Sequence, residues 1–428
     1  MFIALPEKLE AAKPVLLRLL SAGHQAVYVG GAVRDTLLGR PVKDVDIATS
    51  ATPEQTLELF PRCIATGLQH GTVTVLHEGM PYEVTTFREE SGYEAFRRPK
   101  EVSFIRDLET DLRRRDFTIN AMAVTAEGEL IDPCGGYPDL RSSLLRCVGN
   151  AEERFREDAL RMLRMVRFLA VYRLKPAPSA WKAMMRHRSL MVHIAMERVH
   201  AELDKMLESG NPEGGIGWLL ASGLLLELKE PLHPEEYGEA FTAWKNSRVT
   251  YAGLPELRHI RALDGRWAAL FLWLGWSAES ASGALKALRF SNKRSSLISG
   301  IVRLHEELEG GIREGRLREA WLRGVLAYGE ATAQSWLDVA RHMNLTEGEL
   351  RVGELEGELN RMPVKAAKEL AAGGADLLAR LQGKPGPWVK AMLDKLLYAA
   401  ASGLLPNDRE SLLRQAEMWN EEGWNDEP

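Results

Sequence analysis

Two carboxylates, Asp44 and Asp46, follow a glycine pair and an arginine inside one short stretch, Tyr28 to Asp46. Side chains on a strand alternate with period two, so acids at i and i+2 share a face and can hold a divalent cation together. Two-metal phosphoryl or nucleotidyl transfer needs that arrangement, one cation activating the attacking hydroxyl and the other holding the triphosphate. Two solvated acids at a strand end have the same spacing, and context separates the readings. Gly30-Gly31 at the head of a helix lets a phosphate approach backbone N–H groups, and Arg34 one turn later adds a bidentate cation. The stretch reads as a site for a nucleoside triphosphate and its metals. Glu83, on an expected strand Tyr82–Phe87, is a third carboxylate if that strand lies beside the first, and an exposed sheet residue otherwise.

A second constellation is Arg113-Arg-Arg-Asp-Phe-Thr-Ile-Asn120. It is either a solvated, self-paired helix start or an Arg–Asp pair, Arg115 with Asp116, that contacts ribose hydroxyls and phosphate, with Asn120 ordering it. The third runs from Glu157 to Phe168. Asp158, Arg161, Arg164 and Arg167 recur every three residues and predict a polar stripe winding slowly around one helix. Ordinary i,i+3 charge pairing is one meaning. The other is base recognition: cytosine and adenine each present an amino donor beside a ring-nitrogen acceptor, which a carboxylate and a guanidinium match. Guanine and uracil present the opposite order and would leave buried polar groups unpaired, at about 1–3 kcal/mol each.

The elements that must position these groups follow a simple order. An amphipathic helix is expected over 5–22, with Pro14 marking a break or a start, then a strand Ala26–Val29, a short helix, and a strand Asp44–Ala48. Thr52-Pro53-Glu54 opens another helix, and strands Gly71–His77 and Tyr82–Phe87 flank a turn at 78–81. The polar, aperiodic stretch from Arg88 to about Arg106 predicts a long loop beside the site. Asp132–Pro138 is a turn between strand and helix, and from 152 onward nearly everything has helical period. The fold class is α+β: a small mixed-sheet head followed by helices. Trp218, Trp244, Trp267, Trp273 and Trp276 are assigned to the helical core.

Composition narrows the function classes. The 428 residues are 45% hydrophobic, enough for two to four domains, and no run is apolar enough to span a membrane. Without a leader pattern, the expectation is a cytoplasmic protein. Cys63, Cys134 and Cys147 are odd in number and widely spaced, which points to buried small hydrophobes. The net charge of −5 opposes a generally basic nucleic-acid coat, yet residues 151–210 carry twelve Lys and Arg against eight Asp and Glu. A Rossmann-type module is disfavoured because Gly30-Gly31 lacks the G-x-G-x-x-G spacing.

Taken in order and spacing, Gly30-Gly-Ala-Val-Arg-Asp with Asp44-Val-Asp, Arg114-Arg-Asp-Phe-Thr-Ile-Asn-Ala, Asp132-Pro-x-Gly-Gly, Glu157-Asp-x-x-Arg and Glu197-Arg-x-x-x-Glu-Leu203 resemble the class II tRNA nucleotidyltransferases, members of the DNA polymerase beta-like superfamily. Gly383-Lys-Pro-Gly-Pro-Trp-Val-Lys390 is similar to the bacterial CCA-adding branch. The resemblance implies a nucleotidyltransferase head (1–148), a neck that reads the base (149–209), a body (210–320) and a tRNA-binding tail (321–428). It implies two Mg2+ ions on Asp44 and Asp46, triphosphate binding by Gly31 and Arg34, and ribose sensing by Arg115 and Asp116. Asp158 and Arg161 would be the protein template for the base. Arg164 and Arg167 would support the nucleotide, and Glu197, Arg198 and Glu202 would brace the template turn. Segment 88–106 would be the loop that changes the pocket from CTP to ATP. The expected partners are CTP, ATP and the acceptor stem and T arm of tRNA, not DNA or a membrane, with a homodimer left open. Relatives adding only CC have a shorter loop, and bacterial poly(A) polymerases carry a basic tail that this acidic chain lacks. No His-Asp dipeptide suggests a phosphohydrolase domain, and the intact acids and arginines oppose a catalytically silent RNA-binding protein.

Overall fold

The protein is described from a computed structural model covering residues 1–94, 98–232, 255–343 and 351–422. Its contacts divide the chain into two units, residues 1–231 and 232–428. Among the described residues every strand lies in the first unit, and no helix is long and apolar enough to cross a membrane.

The first unit begins with helix α1 (Glu7–Ser21), whose Leu9, Ala12, Val15, Leu16 and Leu19 are buried at helical spacing. Pro14 neither breaks nor starts it. The ring removes one backbone donor, and the buried stripe on both sides outweighs that loss. Strand β1 (Ala26–Val29) is buried along its whole length, and the Tyr28 hydroxyl donates to the Leu9 carbonyl at 2.6 Å, joining strand to helix. Helix α2 (Gly31–Leu37) and strand β2 (Asp46–Thr49) follow. Asp44 therefore precedes the strand rather than lying on it, because only Asp46–Thr49 pair with β1.

Helix α3 (Pro53–Leu59) starts with a capping box between Thr52 and Gln55. Strands β3 (Cys63–Gly67), β4 (Thr72–His77) and β5 (Met80–Thr86) form a meander. The β4–β5 turn is the pair Glu78-Gly79, both at positive φ (50° and 80°), which suits the strand twist.

The expected loop at 88–106 is instead an antiparallel hairpin, β6 (Arg88–Glu94) and β7 (Arg98–Phe104), with its tip at 95–97 outside the described residues. It is a two-stranded sheet of its own, apart from the main sheet. A ribbon held by its backbone ladder does not require the apolar alternation that a core-facing strand shows, so its sequence carries no period.

Helix α4 (Leu108–Arg113), strands β8 (Ala123–Val124) and β9 (Leu130–Ile131), and helix α5 (Gly136–Arg141) complete the sheet region. The seven-stranded mixed sheet has the order β3-β4-β5-β2-β1-β8-β9. Then come β10 (Leu144–Leu145), α6 (Ala151–Glu157), α7 (Leu160–Tyr172), β11 (Lys175–Pro176), α8 (Pro178–His187), α9 (Met196–Leu207) and α10 (Pro212–Ser222). The parallel pair β10·β11 is a small exception to the expected all-helical remainder.

The second unit is helical throughout its described residues. Trp267, Trp276, Trp321 and Trp336 are buried, and Trp273 is half-buried. Trp218, in the first unit, is also half-buried, and Trp244 lies outside the described residues. Of the cysteines only Cys147 is buried; Cys63 and Cys134 are partly exposed.

Candidate active site

One cleft of about 990 Å³ opens in the first unit, lined by Gly30, Gly31, Arg34, Asp44, Asp46, Arg115, Asp116, Asn120, Asp158, Arg161, Arg164 and Arg167 among others. That size suits a small-molecule ligand. Every residue predicted from the sequence as catalytic or nucleotide-binding lies on its wall, although they come from α2, the approach to β2, the end of α4, and α7.

Strand β2 brings Asp46 to the cleft. Asp46 pairs in register with Val29 on one side and with Glu83 of β5 on the other. The strand of Glu83 thus does lie beside Asp46, and Glu83 is at the same time an exposed sheet residue. Burial, then Glu83 and Asp44, push the Asp46 carboxyl above its usual value, and Arg115 and Arg34 oppose them only in part. Gly30, the residue before α2, sits at φ 68°, where a side chain is strained. A Cβ there would stand 3.3 Å from an Arg115 Nη and 3.5 Å from an Asp46 Oδ. Glycine keeps the backbone open to both.

Arg34 is 6% exposed, and its guanidinium is held from several sides. It donates to the Asn120 amide oxygen at 2.5 Å and to Asp35 at 3.1 Å, and it lies 4.2 Å from the ring centre of Tyr172. Asn120 in turn donates to Asp116 at 3.0 Å, and Arg164 donates to the other Asp116 oxygen at 2.6 and 2.9 Å. Burial alone would push the Asp116 carboxyl up. Arg164, the Asn120 amide and Arg161 outweigh it and hold that carboxyl at about 2. The Arg113–Arg115 run is a helix end rather than a helix start, with Arg114 and Arg115 bound to the buried Asp111.

The continuous polar stripe expected over 158–167 is interrupted. Helix α6 ends at Glu157, and Asp158 is extended (φ −142°, ψ 105°), accepting a hydrogen bond from the Leu160 amide at 3.1 Å near the start of α7. A carboxylate that satisfies a backbone donor just inside a helix favours a break over a continuous turn. Asp158 and Arg161 each have partners of their own. Arg198 of α9 donates to Asp158 at 2.8 and 3.3 Å, while Arg161 pairs with Glu157 and donates to the Arg154 carbonyl at 3.0 Å. Glu202, 4% exposed, accepts from Arg167 at 2.6 Å and stands 4.0 Å from Arg164. Glu197 is exposed on α9.

Three groups escaped sequence reasoning. Phe168 and Tyr172 are stacked against by arginines: Arg167 at 4.2 Å and Arg164 at 5.4 Å over Phe168, Arg34 and Arg40 over Tyr172. Their spacing of four and eight from Arg164 puts them on its helix face, a signal present in the sequence. Asp111, at i−3 and i−4 from Arg114 and Arg115, left a similar trace.

Among the described residues no three His, Cys, Asp or Glu side chains converge into a metal cage. Magnesium does not require one, because it keeps several waters and binds one or two carboxylates plus substrate phosphates. The negative charge gathered at Asp46 is the donor chemistry such an ion relieves.

The chain matches the family model described as the poly A polymerase head domain over residues 26–146. Models described as a probable RNA and SrmB-binding site of polymerase A and as tRNA nucleotidyltransferase domain 2 (putative) match residues 173–235 and 258–416. It is 37% identical over 411 residues to a CCA-adding enzyme of Bacillus velezensis, covering 96% of this chain and 98% of that one. A CCA-adding enzyme of Lactiplantibacillus plantarum is 36% identical over 423 residues, with 97% of each chain covered. The crystal structure of the Bacillus stearothermophilus CCA-adding enzyme in complex with CTP is 34% identical, with a TM-score of 0.82 over 98% of this chain and 99% of that one.

Proposed function

The chain belongs to the CCA-adding enzymes, the tRNA nucleotidyltransferases, and on that premise we propose how its cleft adds C, C and A to the 3′ end of tRNA from CTP and ATP. The observation that carries the reading is the convergence of Asp44, Asp46, Arg34, Arg115, Asp158 and Arg161 on one cleft from four separate parts of the chain. The tRNA 3′-hydroxyl attacks the α-phosphorus of the nucleotide and pyrophosphate leaves. Two Mg2+ ions held by Asp44 and Asp46 would lower the pKa of the attacking hydroxyl and offset charge on the triphosphate.

The chain's own residues do the rest. Gly31 and Arg34 receive the triphosphate, with Arg34 oriented beforehand by Asn120 and Tyr172. Arg115 and Asp116 meet the ribose. Arg164 and Arg167, held by Asp116 and Glu202, keep positive charge along the nucleotide without mobile side chains. Asp158 accepts from the amino group of cytosine or adenine and Arg161 donates to the ring nitrogen. Arg198 fixes the Asp158 carboxylate, whose two oxygens carry about four acceptor positions, more than its protein donors use. The 88–104 hairpin is the element that adapts the pocket between CTP and ATP, and residues 321–428 hold the acceptor stem and T arm.

The test uses purified protein, Mg2+ and three tRNA transcripts ending at the discriminator base, one C later, and two Cs later. Each receives CTP, ATP or both. Addition of CCA followed by a stop is expected. An unending A tail would assign a poly(A) polymerase, and CC or A alone a partial enzyme. Asp158→Ala should then keep incorporation but lose about tenfold or more of the preference for C and A over U and G.

A further inference from the structure

Asp111 is one of the least exposed carboxylates in the protein, at 1%, and it lies outside the roles assigned above. Its two oxygens serve different parts of the molecule. Oδ1 accepts from the backbone N–H of Arg88, the first residue of the 88–104 hairpin, at 3.2 Å, and from Arg114 at 2.8 and 2.9 Å. Oδ2 accepts from an Arg115 Nη at 3.2 Å. Arg115 reaches on toward Gly30 and Asp46 at the triphosphate end of the cleft.

The foot of the hairpin is anchored elsewhere as well. The Arg88 guanidinium donates to the His70 carbonyl, and Phe104, the partner of Arg88 across the ladder, packs where a Gly71 side chain would stand. Asp111 adds a link of another kind, from the backbone at the hairpin foot to Arg114 and Arg115, which both line the cleft.

We propose that Asp111 is a positioning residue that couples the base of the 88–104 hairpin to the placement of Arg115, and thereby to recognition of the nucleotide's ribose and phosphates. This rests on the reading of the cleft as a CTP and ATP site. The chemistry requires an acceptor on both oxygens. An amide would turn one of them into a donor facing either Arg115 or the Arg88 N–H and Arg114, so Asp111→Asn removes one end of the coupling while keeping shape. Arg115, released from Oδ2, then samples rotamers that leave the ribose.

The experiment measures kcat/KM for CTP and for dCTP in the wild type, in Asp111→Asn, in a protein whose residues 91–101 are replaced by a two-residue turn, and in the combination. CCA addition by the wild type is scored first, so failure of the functional reading is seen separately. The expected result is a preference for CTP over dCTP that falls about tenfold in Asp111→Asn. Shortening the hairpin should also lower it, and the double variant should be little worse than either, since both cut one linkage. An unchanged CTP/dCTP ratio in Asp111→Asn with only a lower unfolding temperature would make Asp111 purely structural and overturn the proposal. Fully additive losses would overturn it too. If the asparagine variant does not fold, Asp111→Glu, which keeps the charge one methylene further out, is measured against the same two criteria.

Discussion

The charges of the cleft and those of the helical unit behave as two different materials. In the cleft, partners are brought together from far along the chain: Arg34 with Asn120, Arg164 with Asp116, Arg167 with Glu202, Arg198 with Asp158. Asp116 and Glu202 are 8% and 4% exposed. In the helical unit several pairs are neighbours on one helix, such as Arg323 with Glu319 and Arg414 with Glu410, and their side chains are mostly solvated. Desolvated charges are costly unless each is matched, whereas exposed pairs contribute little. The difference teaches where this protein holds charge against the preference of the fold, and that is the cleft proposed above to receive a polyanionic nucleotide.

Asp46 should break the comparison most sharply. Its raised pKa means the folded state binds the proton more tightly than the unfolded chain. Any stability from that proton is present at low pH and lost as pH rises through the folded value, so at neutral pH the ionised group strains the fold. Asp46→Asn, or Asp44→Ala, is expected to reduce nucleotide incorporation by about 1,000-fold, ~4 kcal/mol in the barrier. The melting temperature of Asp46→Asn at neutral pH should be equal or higher, and Mg2+ should stabilise it less than the wild type. Calorimetry and a labelled-nucleotide assay check both halves; a stability loss alone would contradict them.

Next in size is Glu202. Its replacement by Gln takes from the Arg167 guanidinium, 12% exposed, the carboxylate it meets at 2.6 Å, and should cost about 3 kcal/mol in denaturant unfolding together with weaker CTP binding.

Asp116 sets a pH dependence of opposite sign to Asp46. Its carboxyl is depressed to about 2 from about 3.9 in an unfolded chain, so its contribution is complete above roughly pH 4 and is lost as pH falls toward 2. About 2 kcal/mol should disappear across that window, and Asp116→Asn should flatten that part of the acid-unfolding curve. In contrast, Arg323→Ala in the helical unit should change unfolding free energy by less than about 0.5 kcal/mol. A larger effect there would erase the distinction between the two regions.

Much of the site was legible in residue order because nucleotide chemistry constrains type and spacing. The acid pair, the glycines ahead of Arg34 and the Arg–Asp step all reached the cleft wall. What misled was continuity. The 158–167 stripe read as one helix, and Asp158 broke it by turning its carboxylate to a backbone donor. The 88–106 stretch read as a loop because a backbone ladder leaves no hydrophobic period. Asp111 was passed over because nothing in its own neighbourhood says that the Arg88 amide will arrive from 23 residues earlier.

The sequence by itself determined the order of elements, the head of mixed sheet ahead of helices, the acids and arginines that line the cleft, and the family. Those depend on local preference and on residue type, which a chain carries wherever it goes. Only the tertiary structure decided who pairs with whom: Asp158 with Arg198, Asn120 between Arg34 and Asp116, Glu83 beside Asp46. These are long-range contacts, selected by packing and by the cost of leaving a buried charge unmatched, and that cost exists only once the chain has closed around it.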